Sequence, residues 1–264
     1  MRFYIPSPLI EQPVTVWLIG VGGTGSELLD GLVRLHTSLL ALGHPGGLQV
    51  TAWDGDTVST ANIGRQRFWP ADVGHNKATV SIHRLNLFAG LDWEDRPEPF
   101  VLDSGYQHWP DLLITCVDQA RLRADIGESG HDSWQDCLWL DTGNDAYTGQ
   151  VILGHLNQRE RQPLRLPSVY DFYGGDLVEG GQDTDNTPSC GLAMALNQQS
   201  LSINRLMADL SLALLFNLFR DGFIEHHGYF VDLRQGLVTP LRIDPDTWAF
   251  MGYAQNDDEA GGLR

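Results

Sequence analysis

The chain contains few cysteines and no apolar run that could cross a bilayer. Its three cysteines form no CxxC pair, which argues for a reducing compartment and against a disulfide framework or a structural zinc site. The longest apolar stretch, residues 210–219, is about half as long as a membrane span and is interrupted by Ser211 and Asn217. No signal-peptide pattern opens the sequence. We therefore expect a cytoplasmic protein that does not act in a membrane.

Cations are also scarce. Seventeen Lys and Arg residues stand against 34 Asp and Glu, for a net charge of −17. This charge excludes a broad surface for duplex nucleic acid, although a few local donors can still bind a small polyanion such as a nucleotide. Lys77 is the only lysine. Either an arginine-favouring codon bias left one lysine by chance, or this position requires a point-like ammonium.

Strand and helix signals alternate along the first half of the chain. Short apolar runs typical of buried parallel strands occur at residues 14–20, 48–53 and 111–117, and each precedes a helical pattern, at residues 26–42, 76–88 and 119–128. Such alternation predicts an α/β fold with a doubly wound, mainly parallel sheet.

The second half of the chain adds strands, a loop and a long helix. We predict strands at 138–141 and 149–153, an acidic crossover loop at about 166–188, a helix at about 189–220, and an antiparallel hairpin within 228–243. The long helix has leucines on more than one face, so we expect part of it to form a homodimer interface. Residues 1–254 are expected to form a single domain and residues 255–264 a polar tail.

A glycine-rich turn follows the first predicted strand and opens the first predicted helix. Glycines there permit a tight turn and let backbone amides approach a phosphate, which the helix N-terminus also favours; the alternative is a purely structural turn. The motif comprises Gly20, Gly22, Gly23, Thr24 and Gly25. The next predicted strand is followed by Asp54, whose carboxylate can accept both ribose hydroxyls. Together these features predict an adenosine-containing ligand.

The residues after Asp54 favour a triphosphate over a dinucleotide. Arg65, Gln66 and Lys77 would have no use in a dehydrogenase, whereas they can neutralise a triphosphate. Asp118 follows another buried strand, where its carboxylate could hold Mg²⁺. Asp118 could also cap the helix that begins there, and the two roles are compatible.

In chain order, the motifs GxGGxG, DxDxVxxxNxxRQ, DVGxxKA and CVD followed by Arg121 or Arg123 resemble the adenylation domain of ubiquitin-activating-type enzymes, the ThiF/MoeB superfamily. The strand pair around residues 141–150 is similar too, and the resemblance covers about residues 14–220. Residues 187–190 and the helix after them most resemble the ThiF-related member of plasmid-borne PRTRC cassettes. The resemblance implies a Rossmann-like ThiF-type adenylation domain that uses ATP and Mg²⁺.

The resemblance also implies a role for each motif residue. The glycine turn would wrap the nucleotide, Asp54 would bind ribose, and Asp118 would bind Mg²⁺. Phosphate contacts would come from Asn62, Arg65, Gln66 and Lys77, and Asp56 belongs to the same nucleotide-binding motif. Cys190 would accept the activated substrate as a thioester, or would pack as a small residue at a helix start. No zinc is expected, because the paired CxxC motifs of many bacterial relatives are absent from the sequence.

The resulting functional prediction is an ATP-dependent enzyme that adenylates the C-terminal carboxylate of a small ubiquitin-like, β-grasp protein ending in glycine. Two alternatives stay open: adenylation of a small-molecule or RNA-borne carboxylate, and a non-catalytic dimeric scaffold that keeps the nucleotide site. The net charge disfavours RNA. A scaffold would need none of Asp54, Arg65, Lys77 and Asp118, which favours the enzyme.

Overall fold

The computed structural model describes residues 1–102, 110–129, 137–156, 164–180 and 200–253. Within these ranges the strands are β1 (Phe3–Tyr4), β2 (Val14–Ile19), β3 (Leu48–Trp53), β4 (Glu94–Arg96), β5 (Leu112–Thr115), β6 (Leu138–Asn144), β7 (Thr148–His155), β8 (Phe223–Ile224), β9 (His226–Asp232) and β10 (Leu237–Arg242). The α-helices are α1 (Pro8–Glu11), α2 (Gly23–Ala41), α3 (Lys77–Ala89), α4 (Ala120–Glu128), α5 (Val169–Gly180), α6 (Ile203–Asp221) and α7 (Pro245–Phe250).

Eight strands form one sheet in the order β10-β9-β7-β6-β5-β2-β3-β4. The strands from β4 to β6 run parallel, and β7, β9 and β10 are added antiparallel at the other edge. The predicted α/β class and the mainly parallel sheet are therefore confirmed. The C-terminal hairpin is β9–β10, and Gly236 takes a φ of +67° in its turn. The sequence did not predict that β7 runs antiparallel to β6.

The parallel strands are apolar because both of their faces are covered. All four residues of β5 are buried, and in β2 Val14, Val16 and Leu18 have no exposed surface. Continuous burial of this kind is expected where helices cover both faces of a parallel sheet. The strand order reverses between β2 and β5, because β2 pairs with β3 on one side and β5 on the other. A doubly wound sheet binds its ligand in the crevice at such a point.

Of the helix predicted at about 189–220, the structure has α6 from Ile203 to Asp221, after a turn at residues 201–202, and residues 189–199 lie outside the described residues. Part of its apolar surface is covered within the chain. Met207, Leu214 and Leu218 are buried, and the helix packs on both α2 and the sheet. Gly31 of α2 permits this approach, since a Cβ there would lie 1.9 Å from Leu212 Cδ1. Contacts within one chain therefore account for part of the apolar surface of α6, and the homodimer stays a prediction.

The prediction of a loop at 166–188 is wrong for the part that forms α5. Ser168 precedes this helix, and both its backbone amide and its hydroxyl donate to Asp171 Oδ2, at 2.6 Å and 2.8 Å. This Ser-x-x-Asp pattern is a helix-start signal that the acidic, glycine-containing composition concealed. The helix packs on α4, where a Cβ at Gly127 would lie 2.1 Å from Tyr170 Cγ. The rest of the predicted loop, residues 181–188, lies outside the described residues.

None of the helices in the described parts of the chain combines the length and the hydropathy that a membrane span requires.

Candidate functional site

A cavity of about 520 Å³ lies at the carboxyl ends of β2, β3, β5 and β6. It therefore occupies the crevice where the strand order reverses. Most of the residues proposed from the sequence line it: Gly20, Gly22, Gly23, Thr24, Asp54, Asp56, Arg65, Gln66, Lys77 and Asp118. Residues that were separate motifs in the sequence are thus brought to one site.

The glycine turn joins β2 to α2 under tight steric constraints. Gly20 has a φ of +90°, and a Cβ there would lie 2.7 Å from the Cys116 carbonyl oxygen. A Cβ at Gly25 would lie 1.9 Å from the Gly20 carbonyl oxygen, so Gly25 shapes the turn without lining the cavity. Helix α2 begins at Gly23, with its first turn at the cavity. The unpaired amides and the dipole of a helix N-terminus attract an anion.

Asp54 lies directly after β3 and stabilises the glycine turn through hydrogen bonds. Its Oδ2 accepts from the Val21 amide at 2.7 Å and its Oδ1 from the Asp56 amide at 2.8 Å. Burial raises the pKa of Asp54 more than these hydrogen bonds and the charge of Lys77 lower it. Each carboxylate oxygen keeps acceptor capacity beyond these bonds, so the same group can hold the turn and accept ribose hydroxyls.

Lys77 begins α3 and is held by Asp56. Its Nζ lies 2.7 Å from Asp56 Oδ2, and the Lys77 side chain is 9% exposed whereas that of Asp56 is 72% exposed. Asn76 caps the helix by accepting from the Thr79 amide at 3.0 Å, and it donates to the Asp54 carbonyl at 2.7 Å. The cap thus fixes the buried ammonium beside the end of β3. Because Asp56 is exposed, Lys77 can exchange this partner for a phosphate with little desolvation of the carboxylate.

Arg65 and Gln66 reach the cavity from the loop between β3 and α3. Arg65 Nε bonds only weakly, to the Ala61 carbonyl at 3.4 Å, which leaves the guanidinium available to an anion. Gln66 Oε1 is buried and has no hydrogen-bond partner among the described residues. A buried acceptor without a partner is costly, and here it is consistent with a site that a donor group from a ligand would complete.

Asn62 does not line the cavity. Its Oδ1 accepts from the amide and the hydroxyl of Ser59, at 2.8 Å and 3.0 Å, within a 3₁₀ turn at Thr60–Asn62. In this structure Asn62 shapes the loop that carries Arg65 and Gln66, and its direct contact with phosphate stays a prediction.

Asp118 is exposed at the cavity wall and does not cap α4. The capping position is Gln119, and Asp118 makes no hydrogen bond or ion pair with the described residues. A free carboxylate at the end of β5 suits an ion that also binds phosphate oxygens. Mg²⁺ is commonly held by one or two carboxylates together with phosphates and water. A cluster of three or more His, Cys, Asp or Glu side chains suited to a metal does not occur in the described part of the chain.

Of the two arginines after Asp118, only Arg123 lines the cavity. It forms a buried ion pair with Asp141, in which Arg123 Nε donates to Oδ1 at 2.9 Å and Nη2 donates to Oδ2. Burial works to lower the pKa of Arg123, but the charge and hydrogen bonds of Asp141 more than offset it and raise the pKa. Arg121 instead pairs with Asp125 on the helix surface.

Several residues that line the cavity belong to no motif found in the sequence, although position at the end of a strand could have identified one of them. Asn144 lies near the end of a predicted strand, as Asp54 and Asp118 do. Asn204, in α6, had no sequence signal. Trp53 and Phe100 form an apolar wall, with their ring centroids 5.6 Å apart.

Two of the three cysteines can be located. Cys137 is fully buried, and burial raises its pKa. Cys116 lines the cavity as a neutral thiol, since burial raises its pKa to about 12. Neither is a ready nucleophile near neutral pH. Cys190 lies outside the described residues.

Comparisons with known proteins identify relatives of this fold. The ThiF family model matches residues 12–225. Ubiquitin-like modifier-activating enzyme 5 of Xenopus laevis is 26% identical over 157 residues, which covers 54% of this chain and 36% of that protein. The protein of the same name from Gallus gallus is 25% identical over 157 residues, with the same coverage.

Solved structures agree with this fold. PaaA superposes with a TM-score of 0.55 at 16% identity, covering 89% of this chain and 65% of that chain. Escherichia coli MccB with MccA-N7isoASN superposes with a TM-score of 0.55 at 14% identity, covering 87% of this chain and 64% of that chain. This chain therefore spans about 36% of the length of the curated relatives and 64–65% of the two structural neighbours.

Proposed function

Since the chain belongs to the ThiF family, we propose that it is an ATP-dependent adenylating enzyme whose substrate is the C-terminal carboxylate of a small ubiquitin-like protein. One observation carries the proposal. Arg65, Lys77 and the first turn of α2 line a single cavity with the free carboxylate of Asp118. A site that held only a structural turn would need none of these charges.

The chemistry requires charge neutralisation more than proton transfer. A carboxylate is already ionised near pH 7, so it needs no general base. One of its oxygens bonds to the α-phosphorus of ATP, the bond from that phosphorus to the bridging oxygen breaks, and pyrophosphate leaves. The barrier is the approach of two anions, which fixed cations and amides lower.

Each part of the cavity has a role in this step. The apolar wall of Trp53 and Phe100 suits the base, Asp54 accepts from the ribose, and the α2 amides hold phosphate oxygens. Arg65 neutralises phosphate charge, and Lys77 does so after leaving Asp56. Asp118 would hold Mg²⁺, which supplies further charge neutralisation when it is bound. The chain would thus hold the α-phosphate in place for attack.

The relatives' name supports a ubiquitin-like substrate, and the test compares substrates of different size. The assay is ATP–pyrophosphate exchange with Mg²⁺ and a β-grasp protein ending in Gly-Gly, against the same protein with both terminal glycines removed. We expect exchange only with the intact C-terminus. Exchange with a short peptide and not with the folded protein would favour the small-substrate alternative, and absence of ATP binding would refute the enzyme.

Substitutions connect that activity to the cavity. Arg65→Ala and Lys77→Ala should each lower the exchange rate by about two orders of magnitude, because each removes a cation from the developing negative charge. Arg34→Ala is the matched control, since Arg34 is 62% exposed and lies on α2 outside the cavity. Normal exchange in both cavity variants would remove these residues from the site.

A later transfer to Cys190 is part of the same proposal. The thiolate would attack the acyl-adenylate carbonyl, form a thioester and release AMP. Cys190→Ala should then keep exchange but lose a thiol-sensitive adduct with the partner. A wild-type protein that exchanges pyrophosphate without forming that adduct would end the reaction at the adenylate.

Assembly and setting complete the proposal. We expect a homodimer, as the family resemblance implies, and light scattering at micromolar concentration tests it. A monomer there would contradict this. The PRTRC assignment and the cytoplasmic location stay predictions from the sequence.

A further inference from the structure

Asn204 is a buried amide at the start of α6 that touches three other parts of the cavity wall. It is 6% exposed and lines the cavity. Its Nδ2 donates to the Arg65 carbonyl at 3.3 Å, and its Oδ1 accepts from the Thr24 hydroxyl and from Asn144 Nδ2, each at 3.3 Å. Thr24 also donates to Asn144 Oδ1 at 3.0 Å. One side chain therefore links the α2 N-terminus, the end of β6 and the loop of Arg65.

The same side chain explains why residue 23 is glycine. A Cβ at Gly23 would lie 2.3 Å from Asn204 Nδ2 and 2.6 Å from its Cγ. The φ of Gly23 is not positive, so the backbone itself would accept another residue. The space beside Gly23 is occupied by the Asn204 amide, and an added methyl group would push that amide from its partners.

We propose that Asn204 is a positioning residue for triphosphate binding. It holds the backbone of Arg65 against the first turn of α2, so that the Arg65 guanidinium and the helix amides bind the same phosphates. This inference rests on the proposed function. Asn204 need not touch the ligand for this role. Its effect should appear for a triphosphate and be absent for a nucleoside, because adenosine carries no phosphate for Arg65 or the helix to bind.

The test measures dissociation constants for Mg²⁺-ATP and for adenosine by titration calorimetry. Asn204→Ala should raise the Kd for ATP about tenfold, since a hydrogen-bonded link of this size is worth roughly one order of magnitude in affinity. The Kd for adenosine should stay within about twofold of the wild-type value. Asn217→Ala, on the same helix and outside the cavity, is the matched control and should change neither constant.

Gly23→Ala acts on Asn204 from the other side and leaves the asparagine in place. It should weaken ATP binding to a similar extent, but it should add little in the Asn204→Ala background, where the amide it displaces is missing. Equal effects of Gly23→Ala in both backgrounds would mean that residue 23 acts on the phosphates directly, and would overturn the coupling. If Asn204→Ala does not fold, unchanged ATP affinity in Gly23→Ala alone overturns the inference.

The outcomes separate this inference from the proposed function. A wild-type protein that binds no ATP refutes both. A wild-type protein that binds ATP, with an Asn204→Ala variant that binds it equally tightly, refutes the role of Asn204 alone. An equal loss of ATP and adenosine affinity assigns Asn204 to general stability of the fold and likewise overturns the inference.

Discussion

Replacing Asp141 by asparagine should destabilise the protein far more than any surface ion-pair substitution. The Asp141 side chain is 1% exposed and that of Arg123 is 11% exposed. Asp141 Oδ1 also accepts from the Thr115 hydroxyl at 2.6 Å, and Thr115 Oγ1 accepts from Trp139 Nε1 at 2.8 Å. Asparagine keeps the shape of the side chain, so the variant removes the charge without opening a cavity.

The magnitude follows from what remains after the change. Arg123 keeps its charge in a buried position with a neutral partner, and removing one member of a buried pair costs about 3–5 kcal/mol. In urea, with an m-value of about 3 kcal/mol/M for a protein of this size, the unfolding midpoint should fall by about 1 M or somewhat more. Arg123 lies on α4, which begins two residues after Asp118, so loosening this helix should weaken ATP binding as well.

Two further variants make this prediction specific. Asp125→Asn breaks the Arg121–Asp125 pair, whose side chains are 56% and 38% exposed, and should cost no more than about 0.5 kcal/mol. Asp141→Asn/Arg123→Met removes both charges and should lose clearly less than the sum of the single variants. A loss below about 1 kcal/mol in Asp141→Asn, or strict additivity in the double variant, would refute the reasoning.

Three other outcomes can be measured with the same protein. Lys77→Arg should lower pyrophosphate exchange at least about tenfold although the charge is kept, because the larger planar group replaces a compact, buried ammonium; normal exchange would show that any cation suffices. Gly25→Ala should destabilise the fold by about 1–3 kcal/mol through its clash with the Gly20 carbonyl, whereas Gly175→Ala, with open space around it, should not, and equal urea midpoints would contradict this. Burial lowers the pKa of His227 from 6.5 to about 4. Between pH 6.5 and pH 4 the imidazole therefore binds a proton in the unfolded chain but not in the folded one. The free energy of unfolding should fall by about 3 kcal/mol as the pH is lowered over this range. His227→Gln should flatten that pH dependence, the exposed His83→Gln should keep it, and the same slope in both would assign it to other groups.

The motifs of the cavity were readable from sequence because each depends on local chemistry. A tight turn before a helix favours glycine independently of the rest of the sequence, and a buried parallel strand needs an unbroken apolar run. Gly20, Asp54 and Lys77 could therefore be assigned to one site before any distance was known. The parallel sheet follows from the same alternation, because a helix between two strands provides the crossover that parallel pairing needs.

The error at α5 arose where local composition and local structure disagree. Glycines and acids between residues 166 and 188 suggested a loop, but Ser168 and Asp171 start a helix that packing on α4 stabilises. Leucines on several faces of α6 suggested a partner; α2 and the sheet contact this helix within the chain, and the homodimer stays a prediction. At α5, burial against a distant element outweighs local composition, and single-sequence reasoning does not contain that element's position.

What only the tertiary structure decided is which side chains hold others in place. Asn62 belongs to a predicted motif and shapes the loop of Arg65, whereas Asn204 has no motif and yet donates to the Arg65 carbonyl from 139 positions away. Arg123 differs from Arg121 only in its direction on α4, which points it to Asp141. The sequence by itself determined the chemistry of the site, because residue type sets charge and conformational freedom. The tertiary structure determined which residues hold the site residues in position, because a hydrogen bond between residues distant in sequence depends on a geometry that exists only after the chain has folded.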